Sequence, residues 1–360
     1  MNESSGDKRM APFEFRRHWA DLSAIPPAAS SWAHNGIAVT AAGEVIGFHA
    51  GQLVAFDQNG HLLWTVETEL TEGHGLTLVQ EDGKEYLWIC DPSFVFESVT
   101  DDGDEEWAPL FGKGIHRHSD EPRVVKMALD GSVRFELPVP LEGPDPPQGM
   151  MGRYCPCGCA VDEERFGGNG DVWVADGYGS SIVYRFDKQG NELARLTGEE
   201  GGGRFLCPHS VYIDRRPGKD VELYIADREN RRVQVYDMEG RYLRTIGESF
   251  LSSPSGFVQW GDMLVIAELY ARLALLDIND GLLGYVGADT PADQMHVWPD
   301  RPGWPNAIDS AGRVVAAPQD LEPGQFNSPH SLAVDDQGNL YVSEWLIGGC
   351  YTSLRPVLGR

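Results

Sequence analysis

The chain has 360 residues, 41% of them apolar, with 42 glycines and a formal net charge of −26. A charge this negative repels nucleic acid and anionic membrane surfaces, so neither is expected as a partner. The first 20 residues contain no apolar run of the kind that forms a signal peptide or a membrane span, which favours a cytoplasmic protein.

One segment repeats along the chain. Its clearest copy runs from Pro208 to Gly247 and reads PHSVYID, then LYIADRENRRVQVYD, then a turn at 238–240, then RYLRTIG. A second copy begins at Cys155 and has matching strands, turns and glycines. Weaker or partial copies begin near Asn35, His74, Ser255 and Ser328. The pattern therefore predicts six units.

Each unit contains four short runs of alternating apolar and polar residues, separated by turns such as Asp-Gly and Glu-Gly. Six such units predict an all-β fold, a six-bladed β-propeller of four-stranded antiparallel blades around a central channel, in one domain spanning 1–360. Only residues 331–360 follow His330, too few for a complete last blade. The N-terminal run Phe13-Glu14-Phe15 is predicted to supply the missing outer strand.

In such a blade, the start of the first strand and the turn between the second and third strands lie on one face. The strand starts are Asn35, His74, Cys157, His209, Ser255 and His330, and the turns include His49, Asp91, Tyr178, Arg228, Tyr270 and Trp345. Both sets are expected to surround the same mouth of the channel. Two insertions, near 92–122 and 288–325, are expected to form rims or lids on that face.

Three histidines occupy the strand start in every second unit: His74, His209 and His330. Alternate blades of a six-membered ring lie about 120° apart, so these side chains can converge on the axis. Three histidines with one open position are the catalytic form of zinc coordination. The sequence thus predicts a divalent metal site, with zinc as the favoured ion, and an enzyme.

Other residues are expected at the same mouth. A cation lowers the pKa of a nearby phenol, so Tyr178 can serve as a proton acceptor and Arg228 as an anion clamp. Both residues can instead merely pack their turns. The residues expected to contact substrate are His49, Tyr270, Trp345 and Cys157.

Three of the six cysteines, Cys155, Cys157 and Cys159, alternate along one predicted strand and therefore lie on one side of it. Such crowding does not suit a disulfide framework and favours a reducing, cytoplasmic location. A second metal site and unreactive buried packing are both open interpretations of these thiols.

The ordered strings GHG, DGY, PHS, ADREN and PHS resemble those of NHL-repeat propellers and, in combination, those of peptidyl-α-hydroxyglycine α-amidating lyase. The resemblance covers most of the chain and is strongest over 171–247. It implies a six-bladed propeller with zinc held by three histidines, and the conversion of a peptidyl-α-hydroxyglycine to a peptide amide and glyoxylate. The residues that match the family's sites are His74, His209 and His330 (zinc), Tyr178 (catalytic base), Arg228 (active-site arginine) and Leu76 (carbonyl ligand of a structural calcium).

Three positions depart from the family pattern. Ala50 stands where the family has an active-site arginine, Ser328 where it has a methionine, and Ser331 where it has an aspartate that binds calcium. The resemblance therefore implies a retained metal centre with altered recognition of a small-molecule or peptide-like substrate and an altered calcium site.

Three functions are compatible with these residues. The favoured one is a zinc-dependent lyase that acts on a hydroxylated carbon next to nitrogen or a carbonyl. A metal-dependent hydrolase such as a lactonase would ordinarily use carboxylate ligands, for which Asn35 and Asp91 are the only candidates. A non-enzymatic NHL-type propeller would dock a protein or peptide without any metal.

Overall fold

The computed structural model describes residues 13–25, 33–97, 115–118, 121–141, 154–287, 324–346 and 348–357, with backbone alone for 95–97 and 115–118. Nearly all regular structure in these residues is β-strand. The first strand, β1 (Phe13–Arg16), belongs to the same sheet as the C-terminal strand. The helical segments described are two short 3-10 turns, Leu22–Ala24 and Glu164–Phe166.

Six four-stranded antiparallel sheets form the blades. Blade 1 contains β2 (Ala38–Val39), β3 (Val45–His49), β4 (Gln52–Phe56) and β5 (Leu62–Glu67). Blade 2 contains β6 (Gly75–Glu81), β7 (Lys84–Asp91), β10 (Arg123–Ala128) and β11 (Val133–Glu136), and the hairpin β8 (Phe94–Glu97) with β9 (Ile115–His118) is inserted after β7. Blade 3 contains β12 (Gly158–Val161), β13 (Val172–Asp176), β14 (Ile182–Phe186) and β15 (Glu192–Leu196).

Blade 4 contains β16 (Pro208–Asp214), β17 (Glu222–Asp227), β18 (Arg232–Tyr236) and β19 (Tyr242–Ile246). Blade 5 contains β20 (Pro254–Trp260), β21 (Met263–Glu268), β22 (Arg272–Leu276) and β23 (Leu282–Gly287). Blade 6 contains β24 (Pro329–Val334), β25 (Leu340–Glu344) and β26 (Cys350–Pro356), with β1 as its outer strand.

The innermost strand of each blade contacts its counterparts in the neighbouring blades, and β24 contacts both β20 and β2. The ring is therefore closed, and the predicted six-bladed propeller is confirmed. Within a blade the two middle strands are buried on both faces, as in β17 and β21, whereas the outer strand β19 contains only half-buried and exposed residues.

The turn between the third and fourth strands shows why the repeat needs its Asp and Gly residues. In blade 4, Asp237 accepts hydrogen bonds from the backbone N–H groups of Glu239 and Arg241, while Gly240 donates to the Asp237 carbonyl. Gly240 has a φ of +85°, which favours glycine because it has no Cβ. The same Asp-to-Gly turn recurs at Asp57 and Asp187.

The apolar core lies between the blades rather than on the axis. Six buried clusters are described, one at each interface between neighbouring blades. At the interface of blades 3 and 4, for example, Trp173 and Val183 pack with Leu223 and Ile225. Because the blades already bury their apolar faces against one another, the axis is free to carry polar side chains.

The ring is closed by the N-terminal strand. β1 pairs antiparallel with β26, with Phe13 opposite Pro356 and Phe15 opposite Leu354. Phe15 packs on Phe326 with ring centroids 5.2 Å apart. The predicted closure strand is thereby confirmed.

Three further expectations concern the second insertion, the cysteines and membrane spans. Residues 288–323 of the second predicted insertion lie outside the described residues. All six cysteines are buried free thiols. No helix in the described part of the chain is long and apolar enough to cross a membrane.

We predict that Phe15→Ala weakens ring closure and lowers the free energy of unfolding by about 2 kcal/mol, since truncating a fully buried phenylalanine costs about 3–5 kcal/mol and Phe15 is half-buried. Glu14→Ala, an exposed position in the same strand, should change it by no more than about 0.5 kcal/mol. Denaturant unfolding measures both variants. Equal effects would contradict closure through the Phe15 side chain.

Candidate metal centre

Three histidines are aimed at the axis from alternate blades. His209 and His330 are the second residues of β16 and β24, and His74 immediately precedes β6. Strand pairing in β16 skips from Pro208 to Ser210, and β24 has the same irregularity around His330. A β-bulge of this kind removes one residue from the ladder and redirects its side chain.

The three imidazoles form an almost regular triangle. The ring centroids of His74 and His330 are 4.6 Å apart, those of His74 and His209 are 4.9 Å apart, and those of His209 and His330 are 5.0 Å apart. The Nε2 atoms of His74 and His330 approach to 3.2 Å. The structure thus brings together the three residues that the sequence predicted as metal ligands.

A fourth histidine, His34, joins them. One ligand atom each from His34, His74, His209 and His330 lie within 4.8 Å of one another, and within the described residues no other group of three or more His, Cys, Asp or Glu side chains converges in this way. We call these residues the four-histidine cluster. Sequence reasoning missed His34 because the strand start of the first unit was placed at Asn35. The available signal was a histidine directly before Asn35, the predicted strand start.

The orientation of the three axial imidazoles is fixed by backbone carbonyls. The Nδ1 atoms of His74, His209 and His330 lie 2.5 Å, 2.8 Å and 3.2 Å from the carbonyl oxygens of Cys157, Ser255 and Asn35, respectively. A carbonyl only accepts, so Nδ1 carries the proton and each Nε2 presents a lone pair. The three carbonyls come from the strand starts of the intervening blades.

Burial keeps the cluster uncharged. Desolvation holds the pKa values of His34, His74 and His209 well below the usual value, and it lowers the pKa of His330 to about 3. The positive charge of Arg228 lowers them further. Neutral imidazoles are the form that binds metal ions.

Tyr178 and Arg228 complete the predicted constellation. The Tyr178 hydroxyl lies 3.1 Å from Nε2 of both His74 and His209 and 3.0 Å from Nε2 of His34. Arg228 Nη1 donates to the same hydroxyl at 3.3 Å, and its guanidinium lies over the Tyr178 ring. Burial raises the pKa of Tyr178, and Arg228 opposes that rise.

The donor set fits a cation. The three locked imidazoles direct three lone pairs to one region, whereas the Tyr178 hydroxyl has a single proton to give. The Nε2 atoms of His74 and His330 face each other at 3.2 Å with no proton between them in these tautomers. A cation at the centre would satisfy all of these nitrogens, and imidazole is a preferred ligand of zinc.

Of the residues predicted to contact substrate, Trp345 and Cys157 contact the four-histidine cluster, and Tyr270 lies on a nearby blade's turn. The Trp345 ring stacks on His34 with centroids 4.6 Å apart, and Cys157 contributes its carbonyl to His74 while burial raises the pKa of its thiol. Tyr270 is half-buried on the turn between β21 and β22, with its pKa raised by burial.

His49 lies outside the four-histidine cluster. Its Nε2 atom lies 2.8 Å from the Tyr351 hydroxyl, which also accepts a hydrogen bond from the Asn35 side chain. The next residue, Ala50, is exposed and has a φ of +50°.

The remaining departures from the family pattern also have identifiable positions. Ser328 is buried, and its hydroxyl donates to the Asn327 side chain at 2.5 Å. Ser331 and Leu76 line the channel. Calcium prefers several oxygen ligands, and neither a carboxylate cluster nor a cysteine cluster suited to a second metal occurs in the described part of the chain.

The channel contains a cavity of about 280 Å³, which is lined by residues of the innermost strands and ends at His74, His209 and His330. On the other side, the ring of Phe94, at the base of the inserted hairpin, lies 5.6 Å from that of Tyr178. The volume of the cavity lies just below the range of about 300–1,000 Å³ that is common for ligand pockets.

The comparisons with known proteins show a short sequence match to an amidating lyase and a fold shared with solved structures. A probable peptidyl-alpha-hydroxyglycine alpha-amidating lyase of Caenorhabditis elegans is 39% identical over 72 residues, which span 19% of this chain and 19% of that protein. No protein-family model matches the chain. The likeness to the amidating lyase is therefore confined to about a fifth of either protein.

Among solved structures, a catalytically inactive virginiamycin B lyase from Staphylococcus aureus with quinupristin has a TM-score of 0.54 and 13% identity, covering 96% of this chain and 100% of that one. A streptogramin B lyase has a TM-score of 0.52 and 14% identity, covering 95% and 97%. A gluconolactonase from Xanthomonas campestris has a TM-score of 0.52 and 12% identity, covering 97% and 99%. At these identities the likeness is one of fold.

We predict that the metal-free protein loses stability through its buried histidines as the pH falls. Burial lowers the pKa of His49 to about 4, from 6.5 for a free imidazole. Between pH 6.5 and pH 4 only the unfolded chain takes up a proton at this imidazole. The neutral His49 therefore stabilises the fold fully above pH 6.5, and this stabilisation is lost as the pH falls toward 4.

His49→Gln removes this dependence. Between about pH 7 and pH 5 the variant should lose about 2 kcal/mol less free energy of unfolding than the wild type. The difference isolates one imidazole, since Asp91 and Asp176, whose pKa values are raised to about 6, act in the opposite direction in both proteins. Urea unfolding at the two pH values tests this, and identical losses would contradict it.

Proposed function

We propose that this protein is a metal-dependent lyase of the amidating-lyase type, with a cation, zinc by preference, held by His74, His209 and His330. The observation that carries the proposal is the convergence of three Nε2 lone pairs whose Nδ1 protons are committed to backbone carbonyls. The short match to an amidating lyase and the fold shared with propeller lyases and a lactonase support an enzyme.

The proposed substrate has a hydroxyl on a carbon next to nitrogen or a carbonyl. A bound cation supplies Lewis acidity that polarises a substrate oxygen. Tyr178 takes the hydroxyl proton, and the electron pair of that O–H bond forms a carbonyl as the neighbouring C–N bond breaks. The departing nitrogen then takes that proton from Tyr178, which returns to its starting protonation state. Burial raises the pKa of Tyr178, so it needs neighbouring positive charge to act as a base.

Charge balance supports an anionic substrate. Arg228 is buried beside the four-histidine cluster, and all four ligand candidates are neutral imidazoles. Glu229 offsets the charge of Arg228 through an ion pair of 3.0 Å, so the charge of a bound cation is the one that a tyrosinate or an anionic substrate group would offset. Arg228 is suited to hold a carboxylate or a developing oxyanion, since its guanidinium is a planar, permanently charged donor.

The substrate pocket is proposed to differ from the family's. Ala50 is exposed and offers no cation where the family has an arginine, so Arg228 would act alone on a carboxylate. The proposed substrate is a small or peptide-like compound, and the proposed compartment is the reducing cytoplasm expected from the cysteine spacing. Neither nucleic acid nor a membrane is proposed as a partner.

The two rival functions have less support. A lactonase with a carboxylate-bound cation would require Asp91, yet its two oxygens accept backbone hydrogen bonds from Thr71, Glu72 and Ser93. A protein-docking propeller would present its channel residues to solvent, whereas the four histidines are each no more than 2% exposed.

We predict that Tyr178→Phe lowers turnover of an α-hydroxyglycine compound by about 100- to 10,000-fold, the usual contribution of a positioned acid or base. Metal content should be unchanged, because a phenyl ring can occupy the same space. The assay is glyoxylate release, run beside a panel of lactones, with metal analysis of each protein.

His209→Ala is the comparison variant and should lose both activity and metal. His61→Ala should keep both activity and metal, because the exposed His61 side chain pairs with Asp57 of its own turn. Turnover of lactones but not of α-hydroxyglycines, or wild-type activity in Tyr178→Phe, would contradict the proposed reaction.

A further inference from the structure

We infer that His34 is a fourth protein ligand of the cation, so that four imidazole nitrogens fill its coordination sphere when no substrate is bound. The inference rests on the proposed metal site and goes beyond the three-histidine arrangement that the resemblance implies. It changes how substrate must reach the cation.

His34 is placed like the other three ligands. Its Nε2 atom lies 3.0 Å from the Tyr178 hydroxyl, as against 3.1 Å for both His74 and His209. Its ring centroid lies 4.3 Å from that of His74 and 4.7 Å from that of His330. The Nε2 atoms of His34, His74 and His209 therefore all lie beside the Tyr178 hydroxyl, and the Nε2 atom of His330 lies 3.2 Å from that of His74.

The backbone on both sides of His34 is anchored. The Ala33 N–H donates to the Leu346 carbonyl at 2.8 Å. The Asn35 carbonyl accepts from His330 Nδ1 and from the Ser343 hydroxyl at 3.0 Å.

The side chain is held as well, because Trp345 stacks on the imidazole at an interplanar angle of 28°. His34 is only 1% exposed. Backbone hydrogen bonds and side-chain stacking therefore both fix the position of His34.

The chemistry of four neutral imidazoles in contact also points to a shared cation. Two of the three axial Nε2 lone pairs already face each other, and His34 adds another nitrogen to the same buried region. Several ring nitrogens together in a dry interior are unfavourable unless each accepts a hydrogen bond or binds a cation, and the Tyr178 hydroxyl has only one proton to donate.

A filled sphere has a consequence for substrate binding. Structural zinc sites have four protein ligands, whereas catalytic sites keep one position open or expand to five ligands. With His34 bound, a substrate oxygen would enter either by displacing His34 or as a fifth ligand. The stacked Trp345 and the His34 backbone anchors would then set the free-energy cost of displacement.

Cobalt(II) is the probe, because its visible spectrum reports the number and type of its ligands. The wild type should bind one equivalent with a spectrum that does not change between about pH 6 and pH 9. His34→Ala should still bind one equivalent, but its affinity should fall by about tenfold or more, since even indirect partners of a ligand contribute 10- to 100-fold.

Solvent would take the position that His34 vacates. Such a solvent molecule on zinc ionises near pH 7, so the His34→Ala spectrum should change with pH around neutrality. Added imidazole should restore the wild-type spectrum. His34→Gln, which retains bulk, guards against misfolding of the alanine variant, and His61→Ala is the matched control.

The outcomes separate the two claims. Unchanged cobalt affinity in His34→Ala, or a wild-type spectrum that already titrates near neutrality, overturns His34 as a ligand and leaves the three-histidine site intact if His209→Ala loses cobalt. A wild-type protein that binds no cobalt overturns both. A pH-independent wild-type spectrum with rescue of His34→Ala by imidazole supports the inference.

Discussion

The candidate site depends on hydrogen bonds between neighbouring blades. Each axial histidine donates its Nδ1 proton to a backbone carbonyl at the strand start of the next blade, and this leaves Nε2 available. For His330 the acceptor is the Asn35 carbonyl, on the far side of the ring closure. The pairing of β1 with β26 completes the blade that carries His330, and Trp19, which follows β1, packs in the apolar cluster between blades 6 and 1.

The distribution of polarity in the propeller explains how the site can exist. Apolar clusters at the six blade interfaces stabilise the fold, so the axis does not have to be apolar. At the axis, burial keeps the histidines neutral and Arg228 opposes their protonation. The result is a set of uncharged nitrogen donors beside a buried guanidinium, the arrangement on which the proposed metal site and the proposed anionic substrate rest.

Much of this arrangement could be predicted from the repeat. Its period gave six blades, its spacing placed His74, His209 and His330 in alternate blades, and its turns brought Tyr178 and Arg228 to the same mouth. His34 could not be found in that way, because it lies just before the first strand of a weak repeat and reaches the cluster from a loop. The carbonyl partners were also hidden, since they depend on bulges and on contacts between blades.

The central claim is that the ring of blades positions histidine nitrogens around one cation. The most direct test is anomalous X-ray diffraction from crystals of the protein at the absorption edge of the metal found in it. We expect one anomalous peak on the axis, about 2.0–2.1 Å from the Nε2 atoms of His74, His209 and His330. A fully ordered cluster without such a peak, or a peak that lies away from these three histidines, would contradict this claim.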